Sequence, residues 1–221
     1  MLYYIIKLGV YSKCIIPNSF MTYCIEQLIT GGEVMQKLFC NICGIEINER
    51  NYNLNEEAFS DKNTTDSIKF CPICGATIKY LSKERYIYKL EDKELNKEVF
   101  KILDHAVKLE VFNGDFYKKA SELAKNEKIS KLFKALANIE YGHAIVHKNL
   151  AGIREMPKLA AMNYDKYNTD SILLEMAEKR EEHAVNYYNK YGKDINSKSL
   201  NIVFEALKNV EIDHIHIINE K

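Results

Sequence analysis

The chain has no tryptophan, and only three prolines and nine glycines interrupt its 221 residues. So few backbone breakers argue against a chain of many tight turns, and the abundant Lys, Glu, Leu and Ala favour helix. Charge of one sign is also missing. Lys plus Arg total 31 and Asp plus Glu total 31, so there is no basic excess for nucleic acid and no acidic tail for a basic partner. No apolar run approaches the ~18 residues of a membrane helix. The apolar patches at Met1–Ile6 and Cys14–Ile16 are broken up by Lys7 and Lys13, an order wrong for a signal peptide. A disulfide framework is absent too. Four of the six cysteines stand in two Cys-x-x-Cys pairs, which read as a metal site in a reducing, cytoplasmic compartment. Cys14 and Cys24 have no motif around them.

Residues 1–34 are expected to be a non-native N-terminal extension or an unstructured tail. Gly31-Gly32-Glu33-Val34-Met35 would be encoded by a G-rich run just before an ATG, which resembles a bacterial ribosome-binding site. Translation is therefore expected to start at Met35.

Two knuckles follow, Cys40-Asn-Ile-Cys43-Gly44 and Cys71-Pro72-Ile73-Cys74-Gly75. Two residues between thiolates let both sulfurs reach one metal from a tight turn. The glycine that follows can take positive φ and turn backbone N–H groups toward the sulfurs. Cys40, Cys43, Cys71 and Cys74 together suit tetrahedral iron or zinc. Between the knuckles, Asn63-Thr64-Thr65-Asp66 reads as a plain loop.

From about residue 91 the periodicity is helical, and four helices are expected at about 91–124, 128–151, 171–191 and 198–219, with N-caps near Thr169 and Asn196–Ser199. Comparing the chain with itself is informative. At a shift of 71, Glu110 falls on Glu181, Tyr117 on Tyr188, Glu140 on Glu211 and His143 on His214. Without a gap, 12 of the 42 positions from 102 to 143 are identical, so duplication of a helix pair is the simplest account. Each Glu-x-x-His pair leaves one helix face together. Two such helices facing one another, with one Glu from each remaining helix, make up the set used by di-metal carboxylate bundles. Four carboxylates would balance two divalent cations. Without metal they would repel and lose hydration. Tyr117 and Tyr188, two turns beyond Glu110 and Glu181, are expected to reach toward the site as hydrogen-bond donors behind the ligands. His105, His147, His183 and His216 lack repeat partners and are expected at the surface. Gly114, mid-helix, is expected either to leave space for a small oxidant or to be a tolerated defect.

The knuckles resemble those of rubredoxin. Together with the duplicated Glu-x-x-His helices they make residues 35–221 resemble rubrerythrin, in the reverse domain order. The resemblance implies a mainly α fold: a ferritin-like four-helix bundle over 83–221, preceded by a small rubredoxin-like or zinc-ribbon β module over 35–82. It implies that Glu140 and Glu211 bridge two Fe ions, that Glu110 and Glu181 are terminal, and that His143 and His214 take one metal each. The cysteines would hold one Fe or Zn. The activity implied is reduction of hydrogen peroxide, or of dioxygen, with electrons from an unidentified donor passed through the cysteine-bound iron, in a homodimer. The alternative is an iron-oxidising, iron-handling protein with a structural zinc ribbon. One departure stands out: the family's extra Glu three residues after the third-helix ligand is replaced here by Ala184.

Mass spectrometry of the native protein tests the translation start. The most N-terminal peptide is expected to begin at Met35 or Gln36, and any peptide from upstream of Met35 would refute this.

Overall fold

The computed structural model describes residues 35–221 and, before them, three strands. Residues 1–34 and 35–221 are separate compact units. In the first, β1 (Tyr4–Lys7), β2 (Val10–Ile15) and β3 (Tyr23–Glu26) form an antiparallel sheet in the order β1-β2-β3, in a register that sets Cys14 opposite Cys24. The expected extension or tail otherwise falls outside the described residues.

The second unit opens with the four-cysteine module. Its central strand β4 (Leu38–Cys40) pairs antiparallel with β5 (Glu46–Ile47) and β6 (Leu81–Ser82). The two knuckles share one backbone pattern. Gly44 N–H donates to Cys40 O (2.8 Å) and Gly75 N–H to Cys71 O (2.9 Å), with φ of +81° and +70° at the glycines. A Cβ disfavours that left-handed conformation, which explains the Cys-x-x-Cys-Gly spelling. The segment from Asn63 is a loop, as expected, but an anchored one. Asn63 is buried, its amide donates to Tyr52 O (2.8 Å) and Phe70 O (3.0 Å), and its carbonyl accepts from Lys69 N–H (2.8 Å). In a module without tryptophan, this side chain and the stacked rings of Phe59 and Phe70 fix the approach to the second knuckle.

Four helices follow: α1 (Lys97–Leu123), α2 (Glu127–Ala151), α3 (Asp170–Asp194) and α4 (Lys198–Asn219). α1 packs mainly on α2 and α3 mainly on α4. α1 starts six residues later than the periodicity implies, because the Asn96 side chain accepts from the N–H groups of Glu98 and Val99 and sets the cap there. Thr169 and Ser197 cap α3 and α4 as expected. The duplication is visible in the boundaries. α1 and α3 end at Leu123 and Asp194, and α2 and α4 begin at Glu127 and Lys198, so both pairs keep the 71-residue offset. No helix among the described residues is long and apolar enough to cross a membrane.

Module and bundle share one core. Cys40, Ile42, Ile47 and Tyr80 are buried together with Leu103, Ala106, Val146 and Phe204. The second knuckle comes closest. A Cβ on Gly142 of α2 would lie 2.5 Å from the Ile73 carbonyl oxygen, and one on Gly75 would lie 2.5 Å from Val210 Cγ1 of α4. Gly142→Ala is therefore expected to cost about 1–3 kcal/mol by overpacking, despite alanine's better helix propensity. Urea unfolding of the full chain checks this, and an unchanged or raised midpoint would refute it.

Candidate metal centre

Each helix carries an apolar stripe that faces its neighbours, and the acidic and histidine positions interrupt those stripes at one level. Phe116, Phe133, Leu136 and Leu173 pack on one side of that level, and Leu103, Phe204 and Leu207 pack on the other. Glu110, Glu140, His143, Glu181, Glu211 and His214 all have zero exposure. Potential ligand atoms of Glu110, Glu140, His143 and Glu211 lie within 4.8 Å of one another, and so do those of Glu140, Glu181, Glu211 and His214. The two groups share Glu140 and Glu211. His143 Nδ1 is 3.0 Å from one Glu211 oxygen, and His214 Nδ1 is 3.2 Å from the other.

Protein groups do not satisfy these atoms. Both oxygens of Glu140 and of Glu211, one oxygen each of Glu110 and Glu181, and Nδ1 of both histidines are buried without a hydrogen-bond partner. Orphaned atoms at this density are costly unless a cation fills the space between them. Oxygen with imidazole nitrogen is a donor set suited to iron and similar divalent metals. The site residues therefore fit a two-metal centre.

The surroundings orient the donors. His143 Nε2–H donates to the Cys74 carbonyl (3.0 Å), which leaves Nδ1 bare and turned to the carboxylates. The buried Tyr117 and Tyr188 cross over between repeats: Tyr117 donates to Glu181, and Tyr188 donates to Glu110. Each phenol thus serves the carboxylate of the other helix pair.

The cysteines converge as well. Cys40 and Cys74 sulfurs are 3.6 Å apart, as are those of Cys43 and Cys71, and all four lie within 4.8 Å of one another. That separation is far beyond a disulfide's and near the ~3.8 Å edge of a tetrahedron with metal–sulfur bonds of ~2.3 Å. Neighbouring thiols hold Cys40 far below its ordinary value, burial pushes Cys71 up, and the contact with Cys40 pushes Cys74 up. A bound cation would favour all four as thiolates.

Two expectations need correction. His147 is not at the surface. It has zero exposure, and its Nε2 lies 2.7 Å from the Tyr188 hydroxyl oxygen. The signal was its place four residues after His143, on the same buried stripe of α2. His105, His183 and His216 are exposed. Gly114 leaves no room for an oxidant, because a Cβ there would lie 2.7 Å from the Tyr141 ring; the glycine admits that ring.

Burial pushes Glu110 up to about 7. Burial, then the facing Glu211, raises Glu140 well above the carboxylate range, and burial raises Glu181. Burial opposes ionisation of Glu211 too, but His143 and His214 outweigh it and hold Glu211 at about 2. Burial lowers the histidines, yet Glu181 and Glu211 lift His214 to about 10, and chiefly Glu211 lifts His143. Groups raised by folding stabilise the metal-free protein below their unfolded values, and that stability is lost as pH rises through the folded ones. The Glu211 contribution is lost only below its ordinary value of 4.5, outside this window. Metal-free protein is therefore expected to lose stability from pH 5 to 8, while metal-loaded protein does not. Thermal melts with and without chelator check this, and a gap that stays constant or narrows with pH would refute it.

Residues 101–166, which cover most of α1, all of α2 and most of the connection to α3, match the rubrerythrin family model. No curated protein and no solved structure matches the chain. This stretch of the four-helix bundle is thus similar to the rubrerythrin family, and a four-cysteine module precedes the bundle.

Proposed function

We propose that the protein is a di-iron oxidoreductase that reduces hydrogen peroxide, or dioxygen, with electrons delivered through iron held by Cys40, Cys43, Cys71 and Cys74. Glu140 and Glu211, common to both four-residue groups, would help hold both irons. Glu110 with His143 completes one position, and Glu181 with His214 the other. The bound iron pair supplies two electrons to the oxidant. The protein supplies the rest. Zero exposure of all six side chains keeps bulk water from the reacting atoms. Tyr117 and Tyr188 hold Glu181 and Glu110 in place and keep a proton beside each carboxylate.

One observation carries the electron-delivery part: the hydrogen bond from His143 to the carbonyl of Cys74. It joins a cysteine of the module to an imidazole of the bundle within one chain, with no solvent gap.

A second reading is iron handling: the bundle oxidises ferrous iron and the module holds structural zinc. The buried methyl of Ala184 favours it, because among the described residues no further carboxylate joins the two groups.

Metal analysis with a visible spectrum of anaerobically purified protein separates the two. Three irons and strong sulfur-to-iron charge-transfer bands are expected; zinc in a colourless module would favour iron handling. Glu140→Ala is expected to lose the iron pair while the bundle still folds. Cys71→Ser is expected to keep the pair but slow its re-reduction by at least about tenfold. Peroxide turnover by Cys71→Ser at the wild-type rate with the physiological donor would refute the relay.

A further inference from the structure

The duplicated halves differ behind one of the two tyrosines. His147 shifted by 71 residues falls on Ile218, so the imidazole in α2 has no counterpart in α4. Its Nε2 lies 2.7 Å from the Tyr188 oxygen, and its ring packs edge-on against Phe204, with centroids 5.6 Å apart at 89°. Tyr117 is placed differently. Besides Glu181, its hydroxyl meets only the Ala177 carbonyl among the described residues, at 3.5 Å. A carbonyl can only accept, so among the described residues nothing donates to the Tyr117 oxygen.

Hydrogen-bond inventory gives the direction of the chain through Tyr188. Glu110, as a metal-binding carboxylate, can only accept, so Tyr188 spends its single proton on it. The contact with His147 then requires N–H at Nε2. That tautomer leaves Nδ1 bare, and Nδ1 is the atom with no partner; the other tautomer would bury an N–H with nothing to accept it. The chain runs one way, from the His147 Nε2–H to the Tyr188 oxygen and from the Tyr188 O–H to Glu110. A hydroxyl that accepts a hydrogen bond becomes a stronger donor, so Tyr188 draws more charge from Glu110 than Tyr117 draws from Glu181.

We infer that His147 is a positioning residue that acts through Tyr188 to weaken Glu110 as a donor, so that it tunes the Glu110–His143 metal position and leaves the Glu181–His214 position untouched. The inference rests on the two-metal reading above. The Cys74 carbonyl acts on the same position in the opposite sense, since it makes His143 a stronger donor. Substitution at 147 isolates the first effect. Duplication made two similar positions, and His147, like the Cys74 carbonyl, acts on only one of them.

The test is calorimetric and optical titration of chelator-stripped full chain with Co²⁺. Thiolate-to-cobalt charge-transfer bands mark filling of the cysteine site and separate it from the two carboxylate–imidazole positions. His147→Phe keeps the edge-on packing and removes the N–H. It is expected to tighten one of those two positions about threefold and leave the other within error. His147→Gln, which can still present an N–H to Tyr188, is expected to keep the wild-type values. His147→Leu makes the same cut if the phenylalanine variant does not fold. Equal shifts at both positions, no shift, or a weakened position would overturn the role of His147. Fewer than two cobalt ions bound outside the cysteine site in the unsubstituted protein would overturn the two-metal reading itself.

Discussion

Four carboxylates and two imidazoles with zero exposure are packed between four helices, and the rest of the fold answers to that. Such a layer is untenable by itself, since ions taken out of water lose several kcal/mol each and like charges at these distances repel. The protein meets the problem only in part. Glu211 sits between two histidines, and Glu110 and Glu181 each accept from a tyrosine. Glu140 has no partner on either oxygen, and it is one of the two residues common to both groups. A pair of divalent cations would neutralise the layer where hydrogen bonds do not. Apolar layers above and below hold the helices together around it.

The second constraint is the join between module and bundle. The second knuckle lies against the α2 backbone at Gly142 and against the Val210 side chain of α4, and both approaches are possible because Gly142 and Gly75 have no Cβ. Asn138 of α2 donates to Asn55, whose own amide holds the Pro72 carbonyl. These contacts fix the Cys74 carbonyl over His143. The four-cysteine site and the six-residue site are therefore parts of one packed body, although 35 residues separate Cys74 from the first carboxylate, Glu110, in the chain.

Much of this was legible before any coordinates. A Cys-x-x-Cys-Gly knuckle is local: its spacing and glycine specify a turn whatever surrounds it. The 71-residue repeat compares one helix pair with another, and a residue's face on a helix follows from its number, so Glu110, Glu140, His143 and their partners could be assigned to a common interior. The start of α1 was missed because the acidic, helix-favouring segment at 91–95 conceals the stronger capping by Asn96. Asn63 was missed because a polar side chain in a loop gives no sign of burial. His147 was missed because it lacks a repeat partner, and the repeat was the filter.

The sequence by itself determined the local and repeated features: the knuckle turns, the four helices, and which side chains of each helix share a face. These depend on backbone sterics and helical periodicity, which act over a few residues. Only the tertiary structure decided which tyrosine serves which carboxylate, that His147 lies behind Tyr188, and that Cys74 rather than another knuckle residue meets His143. Those pairings depend on how α1 and α3 lie against each other and where the module seats on α2 and α4. That geometry is set by the summed packing of distant side chains, and no short stretch of chain encodes it.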